Sequence, residues 1–243
     1  MSVLRVVGAM AVAVARTLWC CAPARAETAP PDTPSFLLFA GTDLWRYGAF
    51  LYGGGLWSPA GVEHDGFTLK VLLNGGVYTY NSGDLQTEID GKMLSAAALL
   101  PGWRFTHDTL TVSVFAGPVA QDYRLTPYDP GSKLHGSYVG AQFAADVWYQ
   151  PTADTMAAVS GAIASIGPTG SVRAAFGWRA FDAMFLGPET AMLWCGDFQQ
   201  LEVGAHITAF HFNAMEWSAG GGWSMDSDRR SGPYLRLGVS AKY

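Results

Sequence analysis

The stretch Tyr234-Leu-Arg-Leu-Gly-Val-Ser-Ala-Lys-Tyr243 alternates without a break between two kinds of side chain. Strand side chains point to opposite faces in turn. Leu235, Leu237, Val239, Ala241 and Tyr243 therefore share one face, and Tyr234, Arg236, Gly238, Ser240 and Lys242 the other. An apolar face backed by a charged one, ending on an aromatic residue, is the pattern of a closing strand in a membrane β-barrel.

The same alternation recurs upstream between turn residues, and no segment shows helical periodicity. The strands expected are 36–44, 48–58, 66–80, 92–105, 109–121, 136–150, 155–166, 171–181, 184–195, 200–211, 214–225 and 233–243. In 136–150, Val139, Phe143, Val147 and Tyr149 oppose Tyr138, Gln142, Asp146 and Trp148. In 171–181, Val172, Phe176 and Trp178 oppose Ser171, Arg173 and Arg179. The fold class expected is all-β, an antiparallel up-and-down outer-membrane β-barrel of about twelve strands. Phe-x-Gly-Pro occurs at Phe115–Pro118 and Phe185–Pro188, and because proline removes a ladder donor each is expected to mark a bulge.

The amino-terminal residues read as an export signal. Arg5 precedes the apolar run Val6–Ala15, and Ala24-Arg25-Ala26 fits a small-x-small cleavage site. The domain division expected is a signal peptide over 1–26, a proline-rich extended leader over 27–35 and a barrel over 36–243. Cys20 and Cys21 leave with the signal, so Cys195 has no partner for a disulfide and no Cys-based metal site is available. Arg5, Arg16 and Arg25 leave too. The remainder carries 12 Lys+Arg against 20 Asp+Glu, a formal net charge of −8, which speaks against nucleic acid as a partner.

Outer-membrane barrels have short periplasmic turns and longer outer loops. The connections alternate accordingly except at Pro59–Asp65, with the long ones at Asn81–Gly91, Asp122–His135 and Asp226–Gly232. Trp57, Trp103, Trp148, Trp178 and Trp217 are expected in one interfacial belt, and Trp45, Trp194 and Trp223 in the other. A soluble barrel alternates with its faces reversed, but twelve strands leave a wide lumen that suits water and polar side chains.

The lumen lining expected comprises Lys70, Arg104, Asp146, Trp148, Arg173, Arg179, Glu202, Glu216 and Arg236, with Asn74, Gln142, Glu189, His206 and Lys242 on the same side. Facing lipid, Arg or Lys costs roughly 2–4 kcal/mol at the bilayer midplane. In the loop 122–135, Tyr123 and Tyr128 are candidates to stack on sugar rings, with Arg124 and Asp129 hydrogen-bonding hydroxyls. No nucleophile elbow, His-Glu-x-x-His or phosphate loop is present. No enzyme, cofactor or metal is therefore expected.

The motifs WSP at 57–59, PGWRF at 101–105, FAGPVAQDYRLTPYDP at 115–130, DVWYQPT at 146–152, AAFGWRAF at 174–181 and DSDRRSGPYLRLGV at 226–239 occur in order. In this combination the chain resembles the BcsS family of cellulose biosynthesis proteins from about Phe36 onward. The resemblance implies a role in making or exporting cellulose and brings no catalytic residues. It points to an outer-membrane barrel acting as channel or scaffold, its partners being membrane lipid and cellulose or other cellulose-synthesis components. Trp148, Tyr138, Tyr78 and Tyr80 are the lumen aromatics available to a glucan. The alternatives are a surface-interaction barrel without transport and a lipid-modifying enzyme, for which His135 is the rim histidine.

Overall fold

The computed structural model describes residues 33–167, 169–181, 184–196 and 198–243. The expected signal peptide and most of the leader lie outside the described residues. Twelve antiparallel strands follow one another: β1 (Phe36–Trp45), β2 (Gly48–Trp57), β3 (Gly66–Ser82), β4 (Thr87–His107), β5 (Leu110–Thr126), β6 (Gly136–Thr152), β7 (Thr155–Ala164), β8 (Thr169–Ala180), β9 (Met184–Cys195), β10 (Phe198–Phe212), β11 (Met215–Asp226) and β12 (Ser231–Lys242). Each pairs with its sequence neighbours, and β12 pairs with β1 to close the barrel. The seam runs unbroken from Leu37 opposite Lys242 to Trp45 opposite Tyr234, and Phe36 and Tyr243 exchange both backbone hydrogen bonds beyond it.

The outer face inverts the polarity of a water-soluble protein. Every strand exposes large apolar side chains, among them Leu38, Leu51, Leu73, Leu94, Val139, Ile163, Val172, Val203, Trp223 and Leu237. A contiguous apolar band on a closed barrel, whose backbone groups are all satisfied between strands, is what hydrocarbon surroundings require. Trp57, Trp103, Trp178 and Trp217 project from this face near the rim that carries the chain termini, and Trp223 near the other. Trp45 and Trp148 do not join the belts. Trp45 is buried under Arg230, and Trp148 turns inward against Phe185, because each sits on the inward face of its strand.

Strands β3 to β6 run further than the sequence pattern suggests. The expected loop Asn81–Gly91 shrinks to residues 83–86, and Asp226–Gly232 to 227–230. Pairing continues through Tyr80 opposite Ile89 and Ser82 opposite Thr87. The reason is legible in the outward positions: Asn81, Glu88, Asp90, Lys92 and Arg124 are polar, so these strand ends stand beyond the apolar band, in water. The longest connection is 127–135 at this far rim, but an eight-residue one, 58–65, lies at the terminus rim.

The bulge expected at Phe115–Pro118 falls on its partner strand. The β4–β5 register shifts between Ala96 and Gly102, opposite that motif, and the buried parity of β4 changes from Ser95 to Leu100. At Phe185–Pro188 there is no shift, and Pro188 pairs in register with Ala205. The donor that proline lacks is replaced from the next strand, for His206 Nε2 lies 3.2 Å from the carbonyl of Phe176. An unforeseen bulge interrupts β10 between Ile207 and Phe210, at Ala209 with φ 61°.

Leu237→Arg, placing a cation on the lipid face midway along β12, is expected to destabilise the barrel by roughly 2–4 kcal/mol. Loss of the compact, heat-modifiable gel band at a lower temperature than wild type measures it; an unchanged transition argues against burial in lipid.

Candidate functional site

The interior divides into two unlike halves. Between β8 and β1 a network of ion pairs crosses the lumen. Arg173 on β8 donates to Glu189 on β9 from Nε (2.9 Å) and Nη2 (2.5 Å). Arg236 on β12 reaches Glu202 on β10 (2.7 Å), Asp43 on β1 (3.2 Å) and Glu189 (3.4 Å). The hydroxyl of Tyr234 donates to Glu189 at 2.9 Å, and Gln200 donates to both Glu202 and Ser224 at 3.0 Å. Glu189 makes this span because β11 has no side chain in its way: a Cβ on Gly220 would lie 2.2 Å from Glu189 Oε1. With the Glu189 side chain fully buried, its two arginine partners are what make an ionised carboxylate tolerable there.

The other half is packed rather than open. Leu56, Val62, Leu100, Phe115, Val119, Tyr123, Leu134, Ala144 and Ile166 form one buried apolar cluster facing inward. The wide, water-filled lumen expected for twelve strands is thus partly filled by wall side chains and by three connections, Ile166 coming from the one between β7 and β8. Val62 comes from 58–65, which is held to the incoming chain by Val62 N to Pro34 O and Ser58 N to Ser35 O, both 2.9 Å. Leu134 comes from 127–135 at the far rim. Glu63 ties the first connection across to Lys242 at 2.7 Å, and Asp65 accepts from the backbone N–H of Thr106.

Of the residues expected to line the lumen, Arg173, Glu202 and Arg236 are brought into the one network. Lys70 and Asp146 form a separate pair at 2.8 Å, with the Lys70 ammonium 4.9 Å from the ring centroid of Phe115. Arg104 bonds Ser113 at 3.1 Å. Arg179 binds the Ala153 carbonyl at 2.6 Å, and Glu216 lies 3.6 Å from His211; both stand near the terminus rim, away from the network. Asp43 completes the network and escapes a reading of β1 alone, because Phe36–Trp45 is apolar on both faces.

The expected external glycan contacts require two corrections. Tyr123 is not in a loop: β5 continues to Thr126, and its ring is buried inside, bonded to Gln121 at 2.9 Å. Asp129 is also buried, accepting from Tyr80 at 2.8 Å and from Gly131 N at 3.1 Å, which folds 127–135 over the mouth. Tyr128 and Arg124 are exposed, Tyr128 edge-on to His135 and Arg124 paired with Asp122. His135 Nδ1 lies 3.2 Å from the carbonyl of Ser132.

Among the described residues, two cavities stand out. One of about 710 Å³ reaches the far rim and is walled by Phe50, Tyr78, Tyr80, Asn74, Gln142 and Asp84 among others. One of about 250 Å³ lies towards the terminus rim beside Arg104, Trp148 and Met156. Asp146, Ser160 and Arg173 line both, so the two cavities adjoin at mid-height.

A closed twelve-stranded barrel with an apolar girdle and charged interior has the architecture of outer-membrane channels. The CymD monoaromatic hydrocarbon channel is similar over 87% of this chain and 89% of its own, with a TM-score of 0.54 at 8% identity. An outer membrane channel from Pseudomonas putida F1 is similar over 92% and 100%, with a TM-score of 0.51 at 9% identity. At these identities the likeness shows the fold, which supports an outer-membrane location. No curated protein matches the chain. Residues 37–243 match the family described as cellulose biosynthesis protein BcsS, and the chain belongs to that family.

Glu189→Ala leaves Arg173 and Arg236 short of a buried counter-charge and is expected to cost about 3–5 kcal/mol, whereas Glu63→Ala at the exposed rim costs below about 1 kcal/mol. The two heat-unfolding shifts, read side by side, check the difference; equal shifts refute it. The Lys242 ammonium holds the Glu63 carboxyl below its ordinary range. Its tie is therefore kept above that range and lost as pH falls through the lowered value. Amide exchange over residues 61–65, corrected for the intrinsic rate, should quicken in acid and lose that dependence in Lys242→Ala.

Proposed function

We propose that this protein is an outer-membrane component of the cellulose-synthesis apparatus that engages glucan or the apparatus from within a closed barrel, without catalysis and without serving as a standing pore. The family supplies the process, and the fold supports the membrane. The observation that carries the choice of scaffold over channel is the filled terminus end, where Val62 is buried with Leu56 and Leu100 beneath the mid-height ion pairs. The cavity beside this cluster at that end is the smaller one, of about 250 Å³. Opening a wider path there would expose apolar surface and part buried charges together.

Cells lacking the chain are expected to release less cellulose, restored by the wild-type gene, while the purified protein in planar bilayers shows no sustained conductance. Unchanged cellulose output would remove the process, and steady channel steps from the wild-type barrel would replace the scaffold by a pore.

A further inference from the structure

We infer that the larger cavity is a binding vestibule for a linear, uncharged oligosaccharide, entered from the far rim and recognised by an aromatic row on the β2–β3 wall. The inference deepens the proposed function and rests on it only for the identity of the sugar, not for the site.

Phe50, Tyr78 and Tyr80 follow one another along the wall with nearly parallel rings. The centroids are 6.3 Å apart at 14° for Phe50 and Tyr78, and 6.2 Å at 25° for Tyr78 and Tyr80. Two of the rings lie against glycine. A Cβ on Gly91 would meet three atoms of the Tyr78 ring within 2.9 Å, and one on Gly76 would meet Phe50 at 2.4 Å. Rings laid flat on the wall in this way keep their other face for the cavity that they line. Such faces attract the apolar C–H faces of a pyranose. The row starts at the mouth, where Tyr80 is fixed by Asp129 of the covering loop.

The polar groups left over beside this row are neutral. Among the described residues, the buried Oδ1 of Asn74, on the same face of β3, has no hydrogen-bond partner. Gln142 presents a second carboxamide to the cavity. The cationic groups at its floor are already taken, Lys70 by Asp146 and Arg236 by Asp43, Glu189 and Glu202. At the mouth Asp84, Asp228 and Lys133 line the cavity, and Asp228 is paired with Arg230 at 3.6 Å. Aromatic faces, two carboxamides and floor cations already held by carboxylates together favour a ligand of hydroxyls and C–H faces without charge.

Titration calorimetry of the folded full-length protein in detergent tests this with cellohexaose, maltohexaose and trigalacturonate as probes. Cellohexaose is expected to bind, Tyr78→Ala to weaken it at least tenfold, and Tyr78→Phe to restore it; the outward Leu73→Ala serves as a control and is expected to bind as wild type. No heat with either neutral hexamer, or tighter binding of trigalacturonate, overturns the inference. If Tyr78→Ala lacks the heat-modifiable band of a folded barrel, Asn74→Ala takes its place, and undiminished binding by it overturns the site. Binding by wild type alongside unchanged cellulose output in deleted cells would remove the proposed function and keep the vestibule. Lost output without binding would do the reverse.

Discussion

The backbone of a membrane strand has no water to bond, so every N–H and C=O must find its partner in a neighbouring strand. One seam meets that demand for the whole chain. The β1–β12 ladder joins residues nearly two hundred positions apart, and without it two open edges would face lipid. Closure in turn fixes which side of each strand is outside, because the pleat admits no intermediate orientation. The apolar girdle and the charged interior are consequences of a single register, and moving that register by one residue exchanges them.

Inside, the same closure brings together residues that are remote in sequence. Arg236 meets Asp43 only because β12 lies beside β1, and it meets Glu202 and Glu189 only because Gly220 leaves the intervening strand bare. Lys70 and Asp146 are bridged over Phe115 from three strands apart. These contacts act as chords across the barrel. They hold its walls at a set distance, as the apolar cluster does on the opposite side by packing.

Much of this was legible from alternation. All twelve strands are legible, although β4 begins and β5 ends five residues outside the expected bounds, because an apolar face against lipid and a polar face against the lumen give a clean period of two. The reading failed where that contrast disappears. Beyond the bilayer, outward residues are polar, so the ends of β3 and β4 resemble loop, and Tyr123 and Asp129 read as external although both are buried. Asp43 was overlooked because β1 is apolar on both faces. The filling of the lumen left no periodic trace: Val62 and Leu134 belong to connections, whose direction depends on tertiary contacts rather than on local pattern.

The interactions that stabilise this barrel are also those that obstruct it. Arg173, Glu189 and Arg236 lie at mid-height, and Val62 seals against Leu56 and Leu100 below them. A passage wide enough for a sugar chain would have to separate charges in a medium of low dielectric and wet an apolar cluster in the same movement. Each of those costs several kcal/mol, which is comparable to the total stability of a domain. The space above the ion pairs carries no such cost, since it is already open and lined with ring faces and carboxamides. The lumen thus pairs a roomy, ring-lined upper part with a lower part where ion pairs and apolar packing lie close together.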